Sequence, residues 1–154
     1  MRRTEKGFSA TELLVVMAII GVIGMIATAN LSRYKLNLTS ANQDLESDIR
    51  TARANAFGRN VHFRVTLSAN SYQIARLKLI GSTWSIDTSR TVDLPTTISV
   101  TVGVGQAIEF TTRGMLIDKP DGRIADPISV TLRDSKSGDT KQITIWPSGQ
   151  LVEA

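Results

Sequence analysis

Residues 6–29 read KGFSATELLVVMAIIGVIGMIATA, and they decide how the rest of the chain is built. A basic entry (Arg2, Arg3, Lys6) leads to a Gly7-Phe8 junction, then Glu12, then an unbroken apolar run from Leu13 to Ala27. Taken as a helix rising about 1.5 Å per residue, residues 8–29 extend roughly 33 Å, the thickness of a bilayer core. The same run also fits a secretory signal, because Ala27-Thr28-Ala29 has the small-x-small pattern of a signal peptidase site. Composition does not separate an anchor from a signal.

Glu12 adds a constraint. An ionised carboxylate at the edge of an apolar helix costs on the order of a few kcal/mol to place in lipid, so it calls for a partner. A cut after Gly7 would create an α-amine on Phe8, four residues from Glu12 and on the same helical face. That cation could neutralise the carboxylate within one chain or across a bundle of helices.

Gly7-Phe8-Ser9-Ala10-Thr11-Glu12-Leu13-Leu14-Val15-Val16 resembles the prepilin-peptidase motif of type IV pilins and type II secretion pseudopilins, G-F-T-L-I-E-L-L-V-V. Gly7, Phe8, Glu12 and residues 13–16 match; Ser9, Ala10 and Thr11 depart. The resemblance implies cleavage by prepilin peptidase after Gly7, N-methylation of Phe8, and an assembly role for Glu12 in setting register between subunits. It also implies a single pass through inner-membrane lipid with the head in the periplasm, and partnership with other pilin or pseudopilin subunits. The helix-kinking proline of many major pilins is absent before Pro95, so any local melting would rely on Gly21 and Gly24, each about 1 kcal/mol worse than Ala in a helix.

The 154 residues leave room for one small head behind such a helix. There is no cysteine, which excludes disulfide staples and thiolate chemistry. The formal charge is +4; without Arg2, Arg3, Lys6 and Glu5 it becomes 15 basic (18 − 3) against 13 acidic (14 − 1) side chains, or +2. Such a small excess argues little for nucleic acid. Arg33 and Lys35 follow the apolar run much as Arg2, Arg3 and Lys6 precede it, so charge alone orients the segment only weakly.

From residue 30 to 57 there is neither proline nor glycine, and Leu38, Ala41, Leu45, Ile49, Ala52 and Ala56 recur at helical spacing. The segment reads as an amphipathic continuation of the apolar helix, with Gly58 as its C-cap and Phe57 folded back on the core. From Val61 the period becomes two: residues 61–67 form a strand, a Ser68-Ala69-Asn70-Ser71 turn follows, and Tyr72, Ile74, Leu77 and Leu79 mark its return. Residues 81–93 are mixed, with a short strand around Trp84 and Ile86. Further strands fall at 97–102, 107–112, 128–133 and 142–146, separated by turn formers.

The expectation is an α+β, pilin-like fold: a long N-terminal helix against an antiparallel sheet of about six strands, burying Leu45, Ile49 and Phe57. Its divisions are a leader at 1–7, a membrane and assembly helix at 8–29, an amphipathic helix at 30–58 and a β-rich head at 59–154. The order of the head resembles minor pilins of the GspH/FimT type, including the Arg/Ala-rich spine end and the Pro147-Ser148-Gly149 turn.

No catalytic constellation emerges. His62 is the one histidine, placed by strand alternation as a surface or rim residue, and neither an enzyme nor a cofactor is expected. Asp118, Asp121 and Asp126 crowd one loop, but their spacing is not that of a calcium loop and Lys119 and Arg123 sit among them. Arg113, Arg123, Arg133 and Lys141 are candidate nucleic-acid contacts. The DNA receptors of FimT type carry a G-R-x-R motif, whereas the corresponding residues here are Gly149-Gln150-Leu151-Val152, so nucleic acid is possible but not favoured. Trp84 and Trp146 read as core or sheet-edge aromatics.

Overall fold

The computed structural model describes residues 10–117 and 126–153, without the side chains of residues 23–36. One helix, α1 (Ala10–Arg59), runs without interruption through both halves of the sequence pattern. Among the described residues nine strands follow: β1 (His62–Leu67), β2 (Ser71–Ile80), β3 (Thr83–Asp93), β4 (Ile98–Val102), β5 (Ala107–Phe110), β6 (Leu116–Ile117), β7 (Ile128–Asp134), β8 (Thr140–Ile145) and β9 (Leu151–Glu153). They form two antiparallel sheets rather than one, ordered β3-β2-β1-β5-β6 and β4-β7-β8-β9.

The helical stripe becomes the core: Leu38, Ala41, Leu45, Ile49, Ala52 and Ala56 are all buried. Strand alternation supplies the other side, since Phe63, Val65 and Leu67 of β1 and Val130 and Leu132 of β7 point inward. The small residues Ala41, Ala52 and Ala56 let α1 lie close to both sheets, touching β1 and β5 of one and β4, β7 and β8 of the other.

Four expectations are corrected. Phe57 is 70% exposed, because Ala56 already takes the core-facing position and the next residue lies about 100° round the helix. Gly58 is inside α1; the left-handed residue that ends the helix is Asn60, with φ 54°, whose amide donates to the Phe57 carbonyl oxygen. The stretch around Trp84 and Ile86 is an 11-residue strand, and its lack of alternation reflects an edge position with most residues exposed. Trp146 lies beyond the end of β8 and is exposed.

Candidate assembly surface and the spine–head junction

The first described turns of α1 are apolar and unpacked. Leu13, Leu14, Val15, Val16, Met17, Ile19, Ile20 and Val22 are between 47% and 71% exposed. Four consecutive residues cover a full turn, so no side of this segment is shielded by the head. Each such side chain gains about 1.5–3 kcal/mol on full burial, which makes transfer to lipid or to neighbouring helices strongly favourable. Glu12 stands in the first turn, exposed, where the helix dipole favours a carboxylate. The described side chains here reach from Ala10 to Val22, roughly 20 Å of helix, and among the described residues no helix is long and apolar enough to cross a membrane. Gly7 and Phe8 lie outside the described residues.

Three polar links fasten the lower and upper spine to the head. Asn42, 1% exposed, donates through Nδ2 to Glu153 Oε1 at 3.1 Å, and Lys141 Nζ meets the same oxygen at 2.5 Å. Tyr72 donates its hydroxyl to Asp48 Oδ2 at 2.8 Å while Arg90 pairs with Asp48 Oδ1 at 2.8 Å. Burial, and then the hydrogen bond to Asp48, pushes the Tyr72 hydroxyl well above the ordinary tyrosine range. Arg53 donates from Nε to the Gly114 carbonyl at 3.0 Å and from Nη2 to the Ser148 carbonyl at 2.7 Å.

That last link explains a glycine. Gly149 has φ 78°, and a Cβ there would stand 2.4 Å from Arg53 Nε and 2.6 Å from the Gly114 oxygen. The guanidinium therefore holds two turns against the helix, and only glycine leaves room for it. The sequence signal was present as an arginine between the core alanines Ala52 and Ala56, with two turn glycines downstream, but nothing in the one-dimensional pattern joins them.

His62 is more engaged than a rim residue. Its Nδ1 is 2.9 Å from Glu109 Oε1, and its ring stacks on Trp84 with centroids 3.9 Å apart. Glu109, 7% exposed, also accepts from Arg64, with Nη2 at 2.7 Å from Oε2. These groups satisfy one another on the sheet face turned away from the helix. Among the described residues no group of three His, Asp or Glu is placed to hold a metal. Asp118 and Asp121 lie outside the described residues, and Asp126 is exposed.

The candidate nucleic-acid contacts are dispersed. Arg133 is exposed, on the side of β7 opposite the inward-facing Leu132 and Asp134. Lys141 is cross-strand from Leu132, hence on the face turned toward the helix, and is paired with Glu153. Arg113 lies in the β5–β6 turn beside the end of α1. Arg123 lies outside the described residues.

Neither protein-family models nor curated proteins give a match to this chain. Solved structures do. The type IV minor pilin FimU of Pseudomonas aeruginosa (strain PAO1) aligns with 78% of this chain and 90% of its own at TM-score 0.57 and 16% identity. The minor pseudopilin EpsH from the type 2 secretion system of Vibrio cholerae aligns with 77% of this chain and 96% of its own, at TM-score 0.55 and 11% identity. The chain has the type IV pilin and pseudopilin fold. At these identities the likeness is one of backbone architecture, so the Arg53 clamp and the Glu109 cluster are derived from this chain alone. The expected α+β, pilin-like fold holds: a long helical spine with an antiparallel β head packed on its C-terminal half.

Proposed function

We propose that the chain is a minor pilin or pseudopilin of the GspH/FimT type, a non-enzymatic subunit of a type IV pilus or type II secretion pseudopilus. In this reading prepilin peptidase cuts after Gly7 and Phe8 becomes the N-methylated first residue. Residues 8–29 hold the subunit in the inner membrane with its head in the periplasm, and later pack against the helices of neighbouring subunits. The observation that carries it is the pairing of an apolar spine segment, exposed on all sides at residues 13–22, with a well-packed head in the pilin fold. A spine of this kind is stable only when something else covers it, and lipid followed by other spines supplies that cover.

Glu12 is the specificity element. Left alone in an apolar bundle it is costly; paired with the Phe8 amine of its own or a neighbouring chain it favours one register over its alternatives. Glu12→Ala should leave the chain folded and inserted but exclude it from filaments built beside wild-type subunits. Normal incorporation of the variant, followed by immunoblotting of sheared or purified filaments, would remove the assembly role.

The continuity of α1 weighs against release of the head by cleavage after Ala29, since residues 27–29 are helical rather than extended. The scatter of Arg113, Arg133 and Lys141 weighs against DNA uptake as the head's main task.

A further inference from the structure

Phe57 is the largest exposed side chain on the upper spine, and it does not stand alone. Together with Arg50, Arg53, Ala54, Arg113 and Gly114 it lines a groove of about 430 Å3 where the last turns of α1 meet the β5–β6 turn. The apolar part of its lining is Ala54, Phe57 and the arginine stems. Its charge is unevenly committed. Arg50 is neutralised by Glu46 at 2.5 Å, and Arg53 is held by the Gly114 and Ser148 carbonyls. Arg113 is exposed and, among the described residues, forms no ion pair.

We propose that this groove docks a short acidic segment of another polypeptide, with a carboxylate on Arg113 and an adjacent aromatic or aliphatic side chain against Phe57 and Ala54. The charge complementarity is local. Arg53 contributes positive potential without an acid to cancel it, while Arg113 is the guanidinium whose donors remain to form a forked pair with a carboxylate. Aromatic and arginine side chains are the residue types enriched among those that dominate binding energy at protein interfaces. A nucleic-acid strand fits less well. It needs cations spaced along a track with their donors open, and of the groove's own arginines Arg50 is paired with Glu46 and Arg53 is held by two backbone carbonyls. The inference concerns the head end of the spine and stands independently of membrane insertion and filament assembly.

The test uses the full chain in detergent micelles and a fluorescein-labelled peptide, Asp-Glu-Asp-Leu-Trp-Glu-Asp-Glu, followed by anisotropy. Saturable binding is expected that weakens about tenfold in Arg113→Glu and by a similar factor in Phe57→Ser, as for loss of a charge partner or an anchor at an interface. Both side chains are exposed, so unchanged circular dichroism should accompany the loss. Absence of saturable binding, an affinity in either variant equal to that of the unaltered chain, or tighter binding of a twelve-residue oligothymidylate than of the peptide would each overturn the proposal.

Discussion

Arg53 Nε lies 3.0 Å from the carbonyl oxygen of Gly114, a residue 61 positions later in the chain. Through its second bond, to Ser148, the same side chain joins the spine to the turn before β9. Charged hydrogen bonds to otherwise unpaired carbonyls contribute about 1.5–3 kcal/mol, so Arg53→Ala should lower unfolding stability by roughly 2–3 kcal/mol. Arg53→Lys should recover only part, because one ammonium lacks the planar fork that reaches both oxygens. Urea denaturation of the full chain in micelles measures both.

Gly149 tests the same clamp from the other side. Gly149→Ala places a methyl 2.4 Å from the Arg53 Nε and adds the strain of φ 78°, for a cost of about 2–4 kcal/mol. Combined with Arg53→Ala, the second cost should shrink in part, since the contacts with the arginine side chain disappear while the 2.6 Å approach to the Gly114 oxygen and the strain of φ 78° remain. Additive losses in the double variant would show that the two residues do not share one site.

Tyr72 makes stability depend on alkaline pH. Its folded pKa is raised above its unfolded value near 10, so the folded state keeps a proton that the unfolded chain gives up. The contribution is complete below about pH 10 and is lost as pH climbs from there through the folded pKa. Melts between pH 8 and pH 11 should show a falling midpoint, with a shallower fall in Tyr72→Phe. An identical slope in the variant would assign the alkaline loss to other groups.

Ile49 and Phe57 form a contrasting pair on one helix. Ile49, 0% exposed, should cost about 2–5 kcal/mol when cut to Ala. Phe57→Ser should change stability by less than about 0.5 kcal/mol, despite removing a larger side chain. Thermal melts of the two variants decide between a core and a surface role.

That contrast also shows how far the sequence could be read. Helical spacing of Leu38, Ala41, Leu45, Ile49, Ala52 and Ala56 identifies the buried stripe correctly, because a 3.6-residue period is a physical property of the helix. Phe57 goes wrong when size is allowed to outweigh period. Strand β1 is legible from Val61 onward because one face is dry and the other wet, whereas edge strand β3 has no such difference and leaves no alternation. Strands β6 and β9 span two and three residues, too few to carry a period. The Arg53 clamp and the Glu109 cluster join residues far apart in sequence, so only the packed fold brings them together. The proposed processing and assembly residues belong to the opposite case: Gly7, Phe8 and Glu12 are legible as a motif in the sequence alone.

The most direct measurement is the intact mass of the mature chain recovered from membranes of an expressing strain that has a prepilin peptidase. A species beginning at Phe8 and heavier by one methyl group is the predicted result. A chain beginning at Asn30, or one still beginning at Met1, would contradict the account of residues 6–29 as a processed assembly spine.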